Sequence, residues 1–328
     1  MKFLDLFAGI GGFRLGMESA GHECIGFCEI DKFARKSYKA IHDTKGEIEL
    51  HDITAVSDDT VRGIGRVDVI CGGFPCQAFS IAGSRRGFED TRGTLFFEIA
   101  RFASILRPKY LFLENVKGLL NHDKGNTFET ILSALDELGY DVEWQVLNSK
   151  NFGVPQNRER VFIVGHLRGE CTRIVFPVGR NTKQAYELPR ENITTNTLTA
   201  RYGAAQSNGS YIVESEQKKI RIKEATSQGY AEAEVGDSVN LSRPNSKTRR
   251  GRVGKQIANT LLTGESQGVV EPDFRIRKLT PRECWRLQGF PDWAFDKAQE
   301  VNSNSQLYKQ AGNSVTVNVI EAIAKELK

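Results

Sequence analysis

The first half of the chain alternates short apolar runs with helical patterns, and that alternation restricts what it can fold into. Lys2–Phe7, His22–Phe27, Val67–Cys71 and Tyr110–Leu113 are apolar runs of strand length, followed later by Val142–Leu147 and Val161–Val164. Between them, Phe13–Ala20, Asp31–Ile41, Leu95–Leu106 and Phe128–Leu138 carry helical spacing, with Gly21 placed as a C-cap and Pro108 as a stop. Strands alternating with helices predict parallel βαβ units with helices on both faces. Such a sheet binds ligands beyond the carboxyl ends of its strands. From about Arg168 the pattern turns polar and β-rich, and helical character returns at Pro281–Leu287 and Val315–Leu327. The stretches Asn196–Glu214 and Asn259–Glu271 resemble each other. They read equally as a duplicated hairpin or as two similar turns.

At 328 residues the chain has room for about two domains. Its 45 basic and 41 acidic residues leave a net charge of +4, which identifies no polyanionic partner by itself. No apolar run approaches the roughly 18 residues of a membrane span. Asp5 interrupts the apolar start, so the N-terminus does not read as a secretory signal, and the expected compartment is the cytoplasm or nucleoid. The six cysteines are therefore expected to be reduced. They contain no C-x-x-C pair and the five histidines are scattered, so no metal site is expected.

Several short motifs can carry chemistry. Asp5-Leu6-Phe7-Ala8-Gly9-Ile10-Gly11-Gly12-Phe13 places glycines between a strand and a helix, where a ligand can approach backbone N–H groups. Glu29 follows Gly9 at the spacing of a ribose-binding acid. A structural turn would look similar, and the spacing departs from the dehydrogenase pattern. In Gly72-Gly73-Phe74-Pro75-Cys76-Gln77, a cysteine follows a buried strand in a Gly/Pro-shaped loop. Cys76 is either a nucleophile, which must be a thiolate, or a buried core cysteine. The next residues, including Ser80, Arg85, Arg86 and Arg92, read as a lid over an anionic substrate or as a solvated loop. Glu114, at the end of a buried strand, can hydrogen-bond a ring nitrogen or serve as a structural acid. In Gln156-Asn157-Arg158-Glu159-Arg160 the two arginines project the same way if the segment is extended. They can brace a carboxylate, grip phosphate or form a charged turn.

The combination is more specific than its parts. DLFAGIGGF, GFPCQ, ENV, QNRER, RKLTPRECWRLQGFPD and QAGNSVTVNV occur in that order. The chain thereby resembles the DNA cytosine-5 methyltransferase family of bacterial and phage restriction–modification systems, over about 2–165 and 277–328. The resemblance implies an α/β fold: a Rossmann-like S-adenosylmethionine-dependent methyltransferase domain with a second, smaller β-rich target-recognition domain. It implies a catalytic domain of residues 1–186 plus 305–328, a target-recognition domain at 187–286 and a connecting hinge at 287–304. It implies methyl transfer from S-adenosylmethionine to carbon 5 of a specific cytosine in double-stranded DNA, by base flipping and a covalent Cys76 adduct. Phe7, Gly9, Gly11, Glu29, Ile30, Asp52, Ile53, Pro75, Leu95, Asn313 and Val315 match cofactor positions. Cys76 matches the nucleophile, Glu114 and Arg160 the residues that hold and activate cytosine, and Arg158 and Asn115 supporting positions. The implied protein is a monomer acting on DNA at a short site, with a cognate restriction endonuclease as a partner in the same system.

A basic run supports a nucleic-acid partner independently: Arg243, Lys247, Arg249, Arg250, Arg252 and Lys255 have no acid among them. Arg249, Arg250 and Arg252, with Ser80, Arg85 and Arg86, are the expected DNA contacts; a solvated loop is the alternative for the run. Three rivals remain: the tRNA-methylating branch of the same family, a Rossmann dehydrogenase and a catalytically dead DNA-binding relative. The dehydrogenase leaves Cys76, Glu114 and the arginines unexplained.

Overall fold

The computed structural model describes residues 1–75, 95–178, 219–243, 246–264, 266–273 and 275–328. Its first half runs β1 (Lys2–Leu6), α1 (Gly12–Ser19), β2 (Glu23–Cys28), α2 (Lys32–Ile41), β3 (Ile48–Leu50), α3 (Asp58–Gly63), β4 (Val69–Gly73), α4 (Leu95–Leu106), β5 (Tyr110–Val116), α5 (Asn126–Glu137), β6 (Tyr140–Asn148) and β7 (Glu159–Leu167). The seven strands form one sheet in the order β3-β2-β1-β4-β5-β7-β6. Strands β3, β2, β1, β4 and β5 pair in parallel; the alternation predicts this for β1, β2, β4 and β5, whereas the three-residue β3 is not among the expected strands. Strand β7 is antiparallel to both its neighbours, contrary to an all-parallel reading. The reason is length: only residues 149–158 separate β6 from β7, with a single 3-10 turn at Ser149–Asn151. A parallel crossover needs a dozen residues or more.

Both sheet faces are covered. On one, Phe96, Ile99, Phe102 and Ile131 of α4 and α5 pack on Leu4, Ile70, Leu111 and Ile163. On the other, Phe13 and Met17 of α1 and Val319, Ile320 and Ile323 of α9 (Val317–Ala324) pack on Phe3, Val69 and Phe112. The last helix thus returns beside the first.

Within the expected β-rich region lie β8 (Ile220–Lys223), β9 (Tyr230–Ala233), β10 (Ser238–Asn240), β11 (Val253–Gly254), β12 (Gln267–Val270) and β13 (Ile276–Lys278). They make a two-stranded ladder and a four-stranded antiparallel sheet in the order β11-β10-β12-β13. Ile222, Ala233, Val239 and Val270 form their small core. Of the two similar stretches, the first lies outside the described residues; in the second, Val269 and Val270 belong to β12.

Helix α6 (Pro281–Leu287) opens with Pro281 at its first position and a capping box between Thr280 and Glu283. The expected connector at 287–304 contains α7 (Asp292–Val301), and α8 (Asn304–Asn313) follows. Trp285, Phe295 and Leu307 from these helices share one core with Ile10 and Ile41. Among the described residues, no helix is long and apolar enough to cross a membrane.

Candidate active site

The loops after β1, β2, β3, β4 and β5 open on one cleft of about 470 Å3 at the carboxyl edge of the sheet. Strand β1 ends in a turn where Phe7, Gly9 and Gly11 take φ of 56°, 57° and 85°. Phe7 and Gly9 line the cleft, whereas Gly11 does not. A Cβ on Gly11 would meet the Nε2 of His42 at 2.1 Å, so glycine is required there by the buried histidine behind it. Beneath the turn, Asp5 is fully buried and accepts from the Tyr38 hydroxyl at 3.4 Å. Burial pushes its carboxyl up to about 8, against the lowering pull of Arg14.

Glu29 follows β2 and joins its end to the glycine turn. Its Oε2 accepts from Gly9 N at 2.8 Å and its Oε1 from Asp31 N at 2.7 Å. Each oxygen retains a lone pair for a ligand hydroxyl. Burial raises its pKa, and the two backbone N–H groups oppose this. Ile30 lines the cleft with 67% of its surface exposed, an apolar side chain open to a ligand among the described residues. Asp52 caps the turn at Ile53–Ala55, accepting from Thr54 N at 3.0 Å. Asp52, Ile53, Leu95, Asn313 and Val315 line the same cleft. An apolar platform, acids placed to accept from hydroxyls and a glycine turn with free space at Gly9 suit a nucleoside-bearing ligand.

At the other end of the cleft, Glu114 and Asn115 continue β5. The Nε of Arg160 donates to Glu114 Oε1 at 2.9 Å, with both side chains mostly buried. Register explains the pairing: β7 runs antiparallel to β5, setting Arg160 opposite Val116. A Cβ on Gly73 would lie 2.9 Å from Glu114 Oε2, so this carboxylate occupies space that only glycine leaves. Burial raises the Glu114 pKa, opposed by Arg160 and Arg158. Asn115 donates through Nδ2 to the Phe74 carbonyl at 2.9 Å, fixing the chain where it leaves β4. Pro75 lines the cleft. Cys76, Ser80, Arg85 and Arg86 lie outside the described residues.

Arg158 is buried and donates to the carbonyls of Ser314 at 2.7 Å and Gly312 at 3.2 Å, bracing the loop between α8 and α9. Its Nε has no partner among the described residues, and burial together with Arg160 pulls its pKa down. Beside it the β-rich region docks on the large sheet. Asn157 N donates to the Ala258 carbonyl at 2.8 Å, and Ala258 N to the Pro155 carbonyl at 2.8 Å.

Burial pushes the thiols of Cys24, Cys28 and Cys284 up to about 12 and that of Cys71 well above the usual value. None of these four supplies a thiolate near neutral pH. Among the described residues no group of three or more His, Cys, Asp or Glu is placed to hold a metal.

In the basic run, Arg243, Lys247 and Arg250 are exposed. Arg252 corrects the expectation of a DNA contact: it is buried, and its guanidinium donates to the carbonyls of Asn240 at 2.9 Å and Lys223 at 3.0 Å. It ties β10 to β8 and is not available to a phosphate. Lys255 pairs with Asp237 at 2.7 Å. The sequence reading missed Phe74, Lys309 and Gln310, which line the cleft. Their one signal was adjacency: Phe74 stands in the GFPCQ motif, and Lys309 and Gln310 lead into GNSV.

The family model described as "C-5 cytosine-specific DNA methylase" matches residues 1–328. The chain is 42% identical to the type II methyltransferase M.HpaII of Haemophilus parainfluenzae, over 99% of this chain and 88% of the relative. It is 37% identical to the type II methyltransferase M.HhaI of Haemophilus parahaemolyticus, over 99% and 93%. The solved structure of the Dnmt2 methyltransferase of S. pombe superposes with a TM-score of 0.59 at 19% identity, over 99% of this chain and 98% of that one.

Proposed function

The chain belongs to the C-5 cytosine-specific DNA methylase family, and from that premise we propose how its cleft carries out the reaction. It methylates carbon 5 of cytosine in DNA. The methyl donor is S-adenosylmethionine, which supplies an electrophilic methyl group on a sulfonium. When it is bound, Glu29 would accept from its ribose hydroxyls and Ile30 would pack on its adenine, with Asp52 and Ile53 available at the adenine edge. Phe7, Gly9, Pro75, Leu95, Asn313 and Val315 surround the rest. The observation that carries this reading is that the Glu114–Arg160 pair and the Glu29–Ile30 corner line one cleft.

Carbon 5 of cytosine is a poor nucleophile, so the ring must be activated. The thiolate of Cys76 forms a bond to carbon 6 and pushes an electron pair toward carbon 5. Glu114, whose burial favours its protonated form, holds a proton at ring N3 and stabilises the added electron density. Arg160 fixes the Glu114 carboxyl, while Asn115 holds the backbone just before Pro75. Carbon 5 would then take the methyl group as the sulfonium–methyl bond breaks, its electron pair staying on the departing thioether sulfur. A base removes the carbon 5 proton, the electron pair returns to the ring, and the carbon–sulfur bond breaks. The target atom is out of reach in a duplex, so the base must be extruded, and Ser80, Arg85 and Arg86 are assigned as DNA contacts on sequence grounds.

Residues 1–186 and 305–328 form the catalytic domain in this reading, and 287–304 joins it through α7 to a DNA-reading region within 187–286. Arg249 and Arg250 contact phosphates there. The protein works as a monomer in the nucleoid, with a cognate endonuclease as its partner. The test is to incubate the protein and labelled S-adenosylmethionine with DNA containing every short site, and separately with tRNA, and to sequence the DNA after bisulfite treatment. Label in DNA at one short motif supports the reading. Label confined to tRNA, or none, overturns it.

A further inference from the structure

We propose that Arg35 is a positioning residue for the adenosine end of the cleft. The inference rests on assigning the Glu29–Ile30 corner to the nucleoside of S-adenosylmethionine. Strand β2 ends at Cys28, and the chain turns at Glu29–Asp31 before α2 begins. Past the strand, the carbonyls of Glu29 and Ile30 lie beyond its ladder with β3. One nitrogen of Arg35, Nη1, donates to both carbonyls at 2.8 Å. A single guanidinium one turn into α2 therefore grips the two residues that present the acid and the bare apolar platform.

Arg35 does not line the cleft, so its effect on a ligand runs through the corner it holds. Glu49 stands behind it: Glu49 Oε1 lies 4.0 Å from Arg35 Nε and 3.3 Å from His51 Nε2, and its Oε2 accepts from Lys39 at 2.7 Å. The carboxylate keeps the guanidinium turned toward the corner. On the far side, Asp31 is held by Lys309 at 2.6 Å. Without Arg35 the Glu29–Ile30 peptide can rotate, which swings the exposed Ile30 side chain away from its place as a platform. The Glu29 carboxylate keeps its own two backbone donors. The loss therefore falls on ligand affinity and not on the folding of the sheet. Hydrogen bonds from a charged donor are worth more than neutral ones, and a part of that strength transmitted to the ligand gives roughly a ten-fold change in affinity.

The experiment titrates the full chain calorimetrically with S-adenosylhomocysteine and with 5′-methylthioadenosine, which lacks the amino-acid end. Arg35→Met should weaken both ligands by the same factor, about ten-fold, with kcat at saturating cofactor within two-fold of wild type. Lys39→Met, which shares Glu49 but does not touch the corner, should bind both ligands as wild type does. Equal affinity of Arg35→Met and wild type overturns the proposal. So does an equal loss of kcat at saturation, which indicates general damage. If Arg35→Met does not fold, Arg35→Lys decides: its ammonium lacks the planar fork, so a loss of a few-fold is expected and unchanged affinity overturns the role. Failure of the folded wild type to bind either ligand instead overturns the reading of the cleft itself.

Discussion

Replacing Gly73 with alanine adds one methyl group at a place where the structure leaves none to spare. The new Cβ would lie 2.9 Å from Glu114 Oε2, while its other near neighbours, Glu114 Cδ and Val315 Cγ1, stand at 3.9 Å. Contact between a methyl carbon and an oxygen is comfortable only from about 3.4 Å, so the carboxylate must move by at least about half an ångström. It cannot move freely, because Arg160 holds its other oxygen at 2.9 Å. A misplacement of about 1 Å at a reacting group costs about a hundred-fold in rate. Half of that on the logarithmic scale predicts a chemical step at least about ten-fold slower, about 1.4 kcal/mol in barrier. Gly73 does not have a positive φ, so alanine fits its backbone, and the cost of the variant falls on the displaced carboxylate. The assay is single-turnover methyl transfer with saturating cofactor and a site-containing duplex, beside a thermal melt and a cofactor titration. An unchanged chemical step in a folded, cofactor-saturated variant would refute the argument that the Glu114 position matters.

Three further outcomes follow from the same geometry. Glu114→Gln keeps the shape but cannot release a proton, and single-turnover methylation should fall by about two to four orders of magnitude; a wild-type rate would remove Glu114 from the reaction. Asp5 is raised to about 8 by burial, so its bound proton stabilises the fold fully below its ordinary pKa of 3.8, and that contribution is lost as pH rises to 8. Asp5→Asn does not titrate, so between pH 4 and pH 7 its stability should gain on wild type by about 4 kcal/mol, and parallel denaturation curves would contradict the assignment. Alanine at Arg249 and Arg250 should weaken DNA binding at every sequence and shrink the salt slope by roughly 0.9 per lost contact, whereas Arg252→Ala should lower the melting temperature; the reverse pattern in salt titrations would undo the correction at Arg252.

The central strands were legible because a parallel sheet covered on both faces needs long apolar runs, which β4 and β5 have and β1 has apart from the buried Asp5. The spacing between Gly9 and Glu29 corresponds in the structure to a hydrogen bond that joins the ends of adjacent strands. Reversal of β7 was hidden because apolar pattern reports burial and not direction. Helix α8 was hidden because it buries Gln310 and Gly312 beside Leu307 and Ala311, which blurs its periodicity. Arg252 looked like its neighbours because charge in sequence does not tell which side chain turns inward to meet strand carbonyls. Gly11 matched a ligand-cradling position, yet in this fold the space beside it belongs to His42.

The covalent step can be tested apart from activity. Once the recognition site is known, a duplex carrying 5-fluorocytosine at the target is incubated with protein and S-adenosylmethionine. Fluorine cannot leave carbon 5 as a proton, so the ring cannot be restored and the thiolate is not released. The account predicts an adduct that survives denaturing electrophoresis, needs the cofactor, and yields a cross-linked peptide containing Cys76. An active preparation that forms no cofactor-dependent adduct, or one linked through another residue, would contradict it.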